Sequence, residues 1–213
     1  MNRVATKMGW GLMVFLALAI TLVVSRYLTL DPNVYFPEQR AVYMANSVGI
    51  LGHVVGAMLA LALGPFQFLP RMRSGRWLRL HRWLGRVYLI GVAIGGFFGF
   101  YMAWLAYSGL IAQVGFAILA VLWLYSGAMA YRTIRKRDVQ AHRRWMIRNY
   151  ALTFAAVTLR LWLPLLTVSG LDFTLAYRTV AWLCWVPNLL IVEWWVQQRL
   201  PATQRNLRQV ASV

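Results

Sequence analysis

The sequence predicts an all-α integral membrane protein that crosses a bilayer with about six helices. Hydrophobic residues make up 61% of the 213-residue chain, and its mean hydropathy is +0.57. Soluble domains are only about 45–50% apolar. Charged residues make up 13% and are concentrated in a few short clusters. The apolar runs between these clusters are long enough to span a hydrocarbon layer of ~30 Å as helices.

We expect one transmembrane domain over residues 1–213, with six helical spans, because hydrocarbon offers no partner to unpaired backbone groups. The first apolar run ends in Ser25-Arg26-Tyr27 rather than in a small-residue cleavage site, which favours a retained anchor over a secretion signal. In chain order, the predicted spans are residues 9–28, 43–69, 87–107, 110–131, 150–168 and 175–196.

Basic residues are concentrated on one side of the predicted bundle. Of the 22 Lys and Arg residues, 18 lie at the two termini and in the connections after the second and fourth spans. The positive-inside rule therefore predicts that these connections and both termini lie on the cytoplasmic side of the membrane. There the basic loops would contact anionic lipid headgroups. The net charge of +17 thus follows from topology, and no nucleic-acid partner is expected, because nucleic-acid binders gather their basic residues on one face of a domain.

The two basic connections resemble each other around His81 and His142, which are 61 residues apart. Each histidine precedes a helix that is predicted to run from the cytoplasm outward. The similarity predicts that spans two to five form a four-helix core from a duplicated helical hairpin in parallel orientation. It also places both histidines at one depth, at the cytoplasmic face.

All three histidines of the chain are candidates for cofactor binding. If the third and fifth helices are neighbours, His81 and His142 would face each other and could be the axial iron ligands of one haem b. Alternatively, both lie among lipid headgroups beside Arg and Trp anchors. His53 lies ~15 Å deep if the second span is helical, among glycines that leave room for a flat ligand. Alternatively, His53 binds no ligand and is a neutral imidazole that is hydrogen bonded to a backbone carbonyl.

Three further polar residues are candidates for a polar cavity in the fifth and sixth spans. Arg160 is predicted at a depth close to that of His53, so the two could line one outward-facing cavity, unless the guanidinium reaches the outer headgroups. Asn188 follows Pro187 near mid-membrane and can hydrogen bond a neighbouring helix. Glu193, near the cytoplasmic boundary, is expected to pair with loop arginines or to act in a proton relay.

Four separated motifs carry a family resemblance. They are Leu-His-Arg-Trp-Leu-Gly-Arg at residues 80–86, the segment around His142 at residues 141–150, Leu-Arg-Leu at residues 159–161, and residues 185–194. Together they resemble a bacterial family of polytopic membrane proteins known only as a domain of unknown function, number twenty-three-zero-six. The resemblance extends from the second span onward and implies a membrane location without an activity.

A looser similarity is to the helical bundles of b-type cytochromes and ferric reductases. It implies a haem held between histidines on neighbouring helices of a four-helix core. This chain departs from that pattern because the fourth span has no histidine, so one haem is the most that the resemblance implies.

These observations lead to two functional hypotheses. The first is a transmembrane electron-transfer protein that binds haem b through His81 and His142 and meets a redox partner. The alternative is a non-enzymatic small-molecule transporter, or an assembly or partner subunit of another membrane protein. The sequence has no P-loop, His-Glu-x-x-His motif, nucleophile elbow or dinucleotide fingerprint. The chain has only five acidic residues, and this low number argues against carboxylate-based hydrolysis. The sequence leaves open whether the protein is an enzyme.

Overall fold

The computed structural model describes residues 3–198, and every regular element in that range is helical. Six helical segments are long and apolar enough to cross a membrane. The predicted fold class, an all-α membrane protein with six spans, is therefore confirmed. The basic tail residues Arg199, Arg205 and Arg208, which contributed to the predicted orientation, lie outside the described residues.

The described residues form nine α-helices, of which eight build the six spans and α2 lies outside them. Short 3₁₀ turns at residues 26–34 and 70–77 connect some of them. The helices are α1 (Arg3–Ser25), α2 (Pro37–Ala45), α3 (Ser47–Gln67), α4 (Leu78–Ala103), α5 (Leu110–Arg135), α6 (Val139–Thr153), α7 (Ala155–Val168), α8 (Phe173–Leu183) and α9 (Val186–Gln198).

The predicted boundaries of the second, third and fifth spans differ from the structure. The second span begins at Ser47 rather than at residue 43, because the chain bends at Asn46 and the segment before it forms the separate helix α2. Helices α4 and α6 begin nine and eleven residues before the predicted spans. Hydropathy detects only the apolar part of a helix, whereas these first turns are rich in arginine. His81 and His142 consequently lie within helices and not in loops.

The fifth and sixth spans are each broken near their middle. Helix α6 gives way to α7 at Phe154, and α8 gives way to α9 at Cys184. Pro187 explains the second break, since it has no N–H and its ring collides with the carbonyl four residues before it. The Cys184 carbonyl accepts hydrogen bonds from Thr158 Oγ1 and from Asn188 Nδ2. The irregular backbone is thus satisfied by protein groups, as hydrocarbon requires.

Helices α3, α4, α5 and α6 form a ring in which each helix contacts the next and α6 contacts α3. Helices α4 and α6 therefore lie diagonally opposite each other. The remaining helices pack outside this ring: α1 contacts α3 and α7, α8 contacts α5 and α7, and α9 contacts α6. We call the end of the bundle with the arginine-rich connections at residues 68–77 and 136–138 the basic face. The other end, with the connections at residues 26–46, 104–109 and 169–172, is the opposite face.

Candidate functional site

A chamber of about 560 Å³ lies in the half of the bundle nearer the opposite face. Each of the six spans contributes to its wall, and helix α2 covers it. Its volume lies within the range of small-molecule sites, about 300–1,000 Å³. Most of the wall is aliphatic or aromatic. The polar and titratable lining residues are Arg26, Tyr27, Gln39, Tyr43, His53, Trp123, Thr153, Arg160, Tyr177 and Cys184.

His53 is fixed against the glycine-rich face of α4. Its Nδ1 lies 2.8 Å from the Gly95 carbonyl oxygen, and because a carbonyl only accepts, Nδ1 carries the hydrogen. The ring lies so close to Gly99 that a Cβ at that position would be 2.6 Å from Nδ1. In the neutral imidazole, Nε2 therefore keeps its lone pair and can accept a hydrogen bond from a molecule in the chamber.

Arg160 places a cationic group in the same chamber. Its Nη1 donates to the Ala156 carbonyl oxygen at 2.9 Å. Among the described residues, no Asp or Glu lines the chamber, and Arg160 forms no salt bridge. Tyr27, Tyr43 and His53 lie close enough to interact with it electrostatically. The chamber therefore contains a guanidinium with no anionic partner in the described part of the chain.

Helix α2 brings a second group of polar side chains over the chamber. Gln39 is 1% exposed, and its Nε2 donates to the Tyr177 hydroxyl at 2.9 Å. Its Oε1 has no hydrogen-bond partner among the described residues. Exchanging the amide N and O would leave the nitrogen unpaired instead. Burial raises the pKa of Tyr43 well above its usual range, and the nearby Tyr177 raises it further. The Tyr43 phenol is therefore neutral and can donate a hydrogen bond.

A hydrogen-bonded network closes the chamber on the side of the basic face. Trp123 Nε1 donates to Thr153 Oγ1 at 2.8 Å, and the Tyr88 hydroxyl lies 3.1 Å from the same oxygen. Tyr88 also donates to Asn149 Oδ1 at 2.6 Å, while Asn149 Nδ2 donates to the Trp123 carbonyl oxygen and to Ser126 Oγ. These groups satisfy one another and separate the chamber from the basic face.

His81 and His142 lie beyond this network, near the basic face, on the diagonally opposite helices α4 and α6. They are close enough to interact electrostatically. His142 Nδ1 donates to the Ala130 carbonyl oxygen at 2.8 Å, whereas His81 Nδ1 is buried and has no hydrogen-bond partner among the described residues. The structure thus brings this pair together and keeps it apart from His53. Neither residue lines the chamber.

Asn188 and Glu193, predicted as members of a polar cavity, do not line the chamber. Asn188 Nδ2 bonds to the backbone at the break of the sixth span and to Thr158. Glu193 forms a two-pronged salt bridge with Arg148, at 2.7 and 2.8 Å, near the basic face. Both side chains therefore hold helices together at their places in the fold.

Sequence reasoning did not identify Gln39, Tyr43 and Tyr177 as site residues. A local signal was present in the run that begins at Pro37, because Pro at the first helical position followed by mixed polar and apolar residues is typical of a short amphipathic helix. The position of this helix over the bundle depends on tertiary contacts. One of them is between the rings of Phe36 and Phe173, whose centroids are 5.9 Å apart.

A comparison with models of protein families gives a match. The family model described as "Predicted membrane protein (DUF2306)" matches residues 50–196, which is more than half of the chain. The resemblance in the four motifs is thereby confirmed, whereas the looser similarity to b-type cytochromes and ferric reductases gains no support. A search of curated proteins and a search of solved structures gave no match.

Proposed function

We propose that this chain, which belongs to the DUF2306 family of predicted membrane proteins, is a non-enzymatic carrier that binds a small amphipathic molecule in the chamber. One observation carries the proposal: His53 and Arg160 face a single, largely apolar chamber in which no described residue neutralises the guanidinium. A charge within a membrane requires an anion, carbonyl groups or water. A bound solute with a polar head and an apolar body would provide a partner for the guanidinium and would fill the apolar part of the chamber.

The two broken spans support a carrier. Membrane transporters commonly form their binding sites beside discontinuous helices near the bilayer midplane. Here Thr153 and Ala155, on either side of the break in the fifth span, line the chamber, and so does Cys184 at the break in the sixth. Movement of α7 and α8 at these breaks would change access to the chamber without unfolding a continuous helix.

The charge distribution supports an orientation for this carrier. The basic face would be cytoplasmic by the positive-inside rule, and the chamber would then lie in the outer half of the bacterial inner membrane. A solute would enter past Arg26 and helix α2. Both termini would be cytoplasmic, as the sequence predicts, and a green fluorescent protein fused after Val213 should then fluoresce in intact cells.

Cysteine accessibility tests the proposal. Cys184 is the single cysteine of the chain, so a Cys184→Ala background allows one reporter at a time. We expect Ala156→Cys, on the chamber wall, to react with a membrane-impermeant methanethiosulfonate added from outside. The matched control Ala128→Cys, which is exposed on the lipid side of α5, should stay unmodified, because the reagent attacks only hydrated thiolates. Equal reactivity of the two variants would contradict the proposal.

A second candidate function is one-electron transfer through a haem b held by His81 and His142. The specific observation in its favour is that the two imidazoles interact across the diagonal of the four-helix ring. In this hypothesis the two histidines would hold the haem iron through imidazole nitrogens. His142 is oriented through Nδ1 by the Ala130 carbonyl and so presents Nε2, the usual arrangement for a ligating histidine. Haem would supply the redox centre, and the two residues would hold and orient it.

An absorption spectrum after expression with excess haem tests this second candidate. We expect a Soret band from the wild type, its loss in His142→Ala, and its retention in His53→Ala, since His53 lies in the other half of the bundle. A wild-type protein without a Soret band would exclude the haem hypothesis and would leave the carrier proposal unaffected.

A further inference from the structure

We infer that the chamber selects a monocarboxylate with an apolar body. This inference rests on the proposed function, because it names the class of solute that the carrier would bind. It goes further by assigning the head group of that solute to Arg160 and its body to the aliphatic and aromatic wall.

The charge of the chamber favours one negative group. Arg160 is half-buried and unpaired among the described residues, whereas Arg26, the other lining cation, is exposed to solvent at the mouth. A single desolvated cation matches one negative charge. A guanidinium carries five N–H donors in a planar fork that fits the two oxygens of a carboxylate, and the bond to Ala156 occupies only Nη1.

Neutral hydrogen-bonding groups around Arg160 complete the recognition of such a head group. Tyr27 and Tyr43 lie near enough to interact with the guanidinium, and phenol hydroxyls can donate to carboxylate oxygens. Gln39 is 1% exposed and lines the chamber. With its amide flipped, Oε1 would accept from the Tyr177 hydroxyl, and Nε2 would donate to a carboxylate oxygen. On the α3 side, His53 presents an Nε2 lone pair, which repels a second anionic group. A dicarboxylate is therefore disfavoured.

The rest of the chamber suits a hydrocarbon chain or ring. Burying apolar surface of the solute contributes roughly 25 cal/mol per Å², so the body would provide affinity and the carboxylate would provide selectivity. The wall surrounding the body includes Ile20, Val24, Ile50, Val54, Phe116 and Leu159.

Binding of radiolabelled decanoate to the purified full-length protein in phosphatidylcholine nanodiscs tests the inference. The competitors are decanol, decylamine, decyl phosphate and decanedioate, which share a ten-carbon chain and differ in their head groups. We expect saturable binding that unlabelled decanoate displaces best. A charge-assisted hydrogen bond is worth enough that Arg160→Gln should weaken decanoate binding by about 10- to 100-fold, while decanol binding should change by less than about two-fold.

Two further variants keep the result interpretable if Arg160→Gln fails to fold. Arg160→Lys keeps the charge and should preserve the preference for decanoate over decanol, at reduced affinity. Arg178→Gln is the matched control, because Arg178 bonds to Ser108 and lies outside the chamber lining, so decanoate binding should not change.

The outcomes separate this inference from the carrier proposal. If decanol, decylamine or decanedioate competes as well as decanoate, the carboxylate assignment is wrong while the chamber still binds amphipathic molecules. Stronger competition by decyl phosphate would instead indicate a phospholipid-type head group and would also overturn the assignment. If no ten-carbon compound binds saturably and Ala156→Cys is unreactive, both the inference and the proposed function fail.

Discussion

Tyr88 and Asn149 are joined across the centre of the bundle by a 2.6 Å hydrogen bond, and they lie 61 residues apart in the chain. The same interval separates His81 from His142, which lie two turns earlier on the same two helices. Residues at corresponding positions of the two similar segments therefore meet in space. This is the relationship expected of two parallel helical hairpins related by an approximate two-fold axis along the membrane normal.

We expect Asn149→Ala to destabilise the protein more than Tyr88→Phe does. Asn149 is 0% exposed and bonds to Tyr88, to Ser126 and to the Trp123 carbonyl. Removing its amide should cost about 1–3 kcal/mol. Loss of the Tyr88 hydroxyl should cost about 0.6 kcal/mol, the average for an interhelical bond in a membrane. The free energy of unfolding in bicelles measures both changes. Strict additivity in the double variant would show that the two side chains are not coupled.

Gly56→Ala should loosen the contact between α3 and α4. A Cβ at position 56 would lie 2.3 Å from the Gly95 nitrogen and 2.6 Å from the Gly91 carbonyl oxygen. Both are backbone atoms, so the helices must separate, at a cost of roughly 1–3 kcal/mol. The variant should show a lower melting temperature and should weaken decanoate binding, because His53 bonds to Gly95. Gly11→Ala is the control, since a Cβ there has no neighbour within 4 Å. It should not lower the melting temperature, because Ala favours a helix over Gly, and it should leave decanoate binding unchanged.

The salt bridge between Arg148 and Glu193 should contribute only modestly to stability. The two side chains are 19% and 36% exposed, and exposed ion pairs contribute about 0.2–1 kcal/mol. We therefore expect Glu193→Gln to lower the free energy of unfolding by less than about 1 kcal/mol and to leave decanoate binding intact. A complete loss of binding or transport in Glu193→Gln would instead favour the proton-relay role predicted from the sequence.

Anionic lipid should stabilise the basic face. Burial lowers the pKa of Arg73, and the positive charge of the nearby Arg143 lowers it further. Anionic headgroups contribute about 1 kcal/mol per basic residue near the surface. The melting temperature should therefore be higher in phosphatidylglycerol nanodiscs than in phosphatidylcholine, and the difference should shrink with salt. Arg143→Gln should reduce it, whereas Arg178→Gln should not. A difference in melting temperature that does not depend on the salt concentration would indicate a non-electrostatic effect of the lipid.

Much of the architecture was predictable because it depends on properties that can be added up over short stretches of the chain. The number of spans follows from hydropathy and charge, which can be counted along the chain, and the structure has six such spans. The similar depths of His53 and Arg160 could also be counted from the span ends, and both residues line the chamber.

The remaining features depend on contacts between distant segments. The break at Phe154 has no proline beside it, whereas Pro164 lies inside the continuous helix α7. The position of Gln39 over Tyr177 joins residues 138 apart, and no periodicity encodes such a pair. Asn188 has the hydrogen-bonding role expected from its sequence, but its partners include the backbone exposed by the break, which the sequence did not reveal.

The distribution of the chamber wall over all six spans has a consequence for biogenesis. The sixth span supplies Tyr177, on α8, and Cys184, at the break after α8. The wall is therefore incomplete until this last span has left the translocon and packed against α5 and α7. Arg160 enters the bilayer before that enclosure exists. A nascent chain halted before Phe173 would present this guanidinium toward lipid, and membrane quality control could recognise such an unfinished protein by that exposed charge.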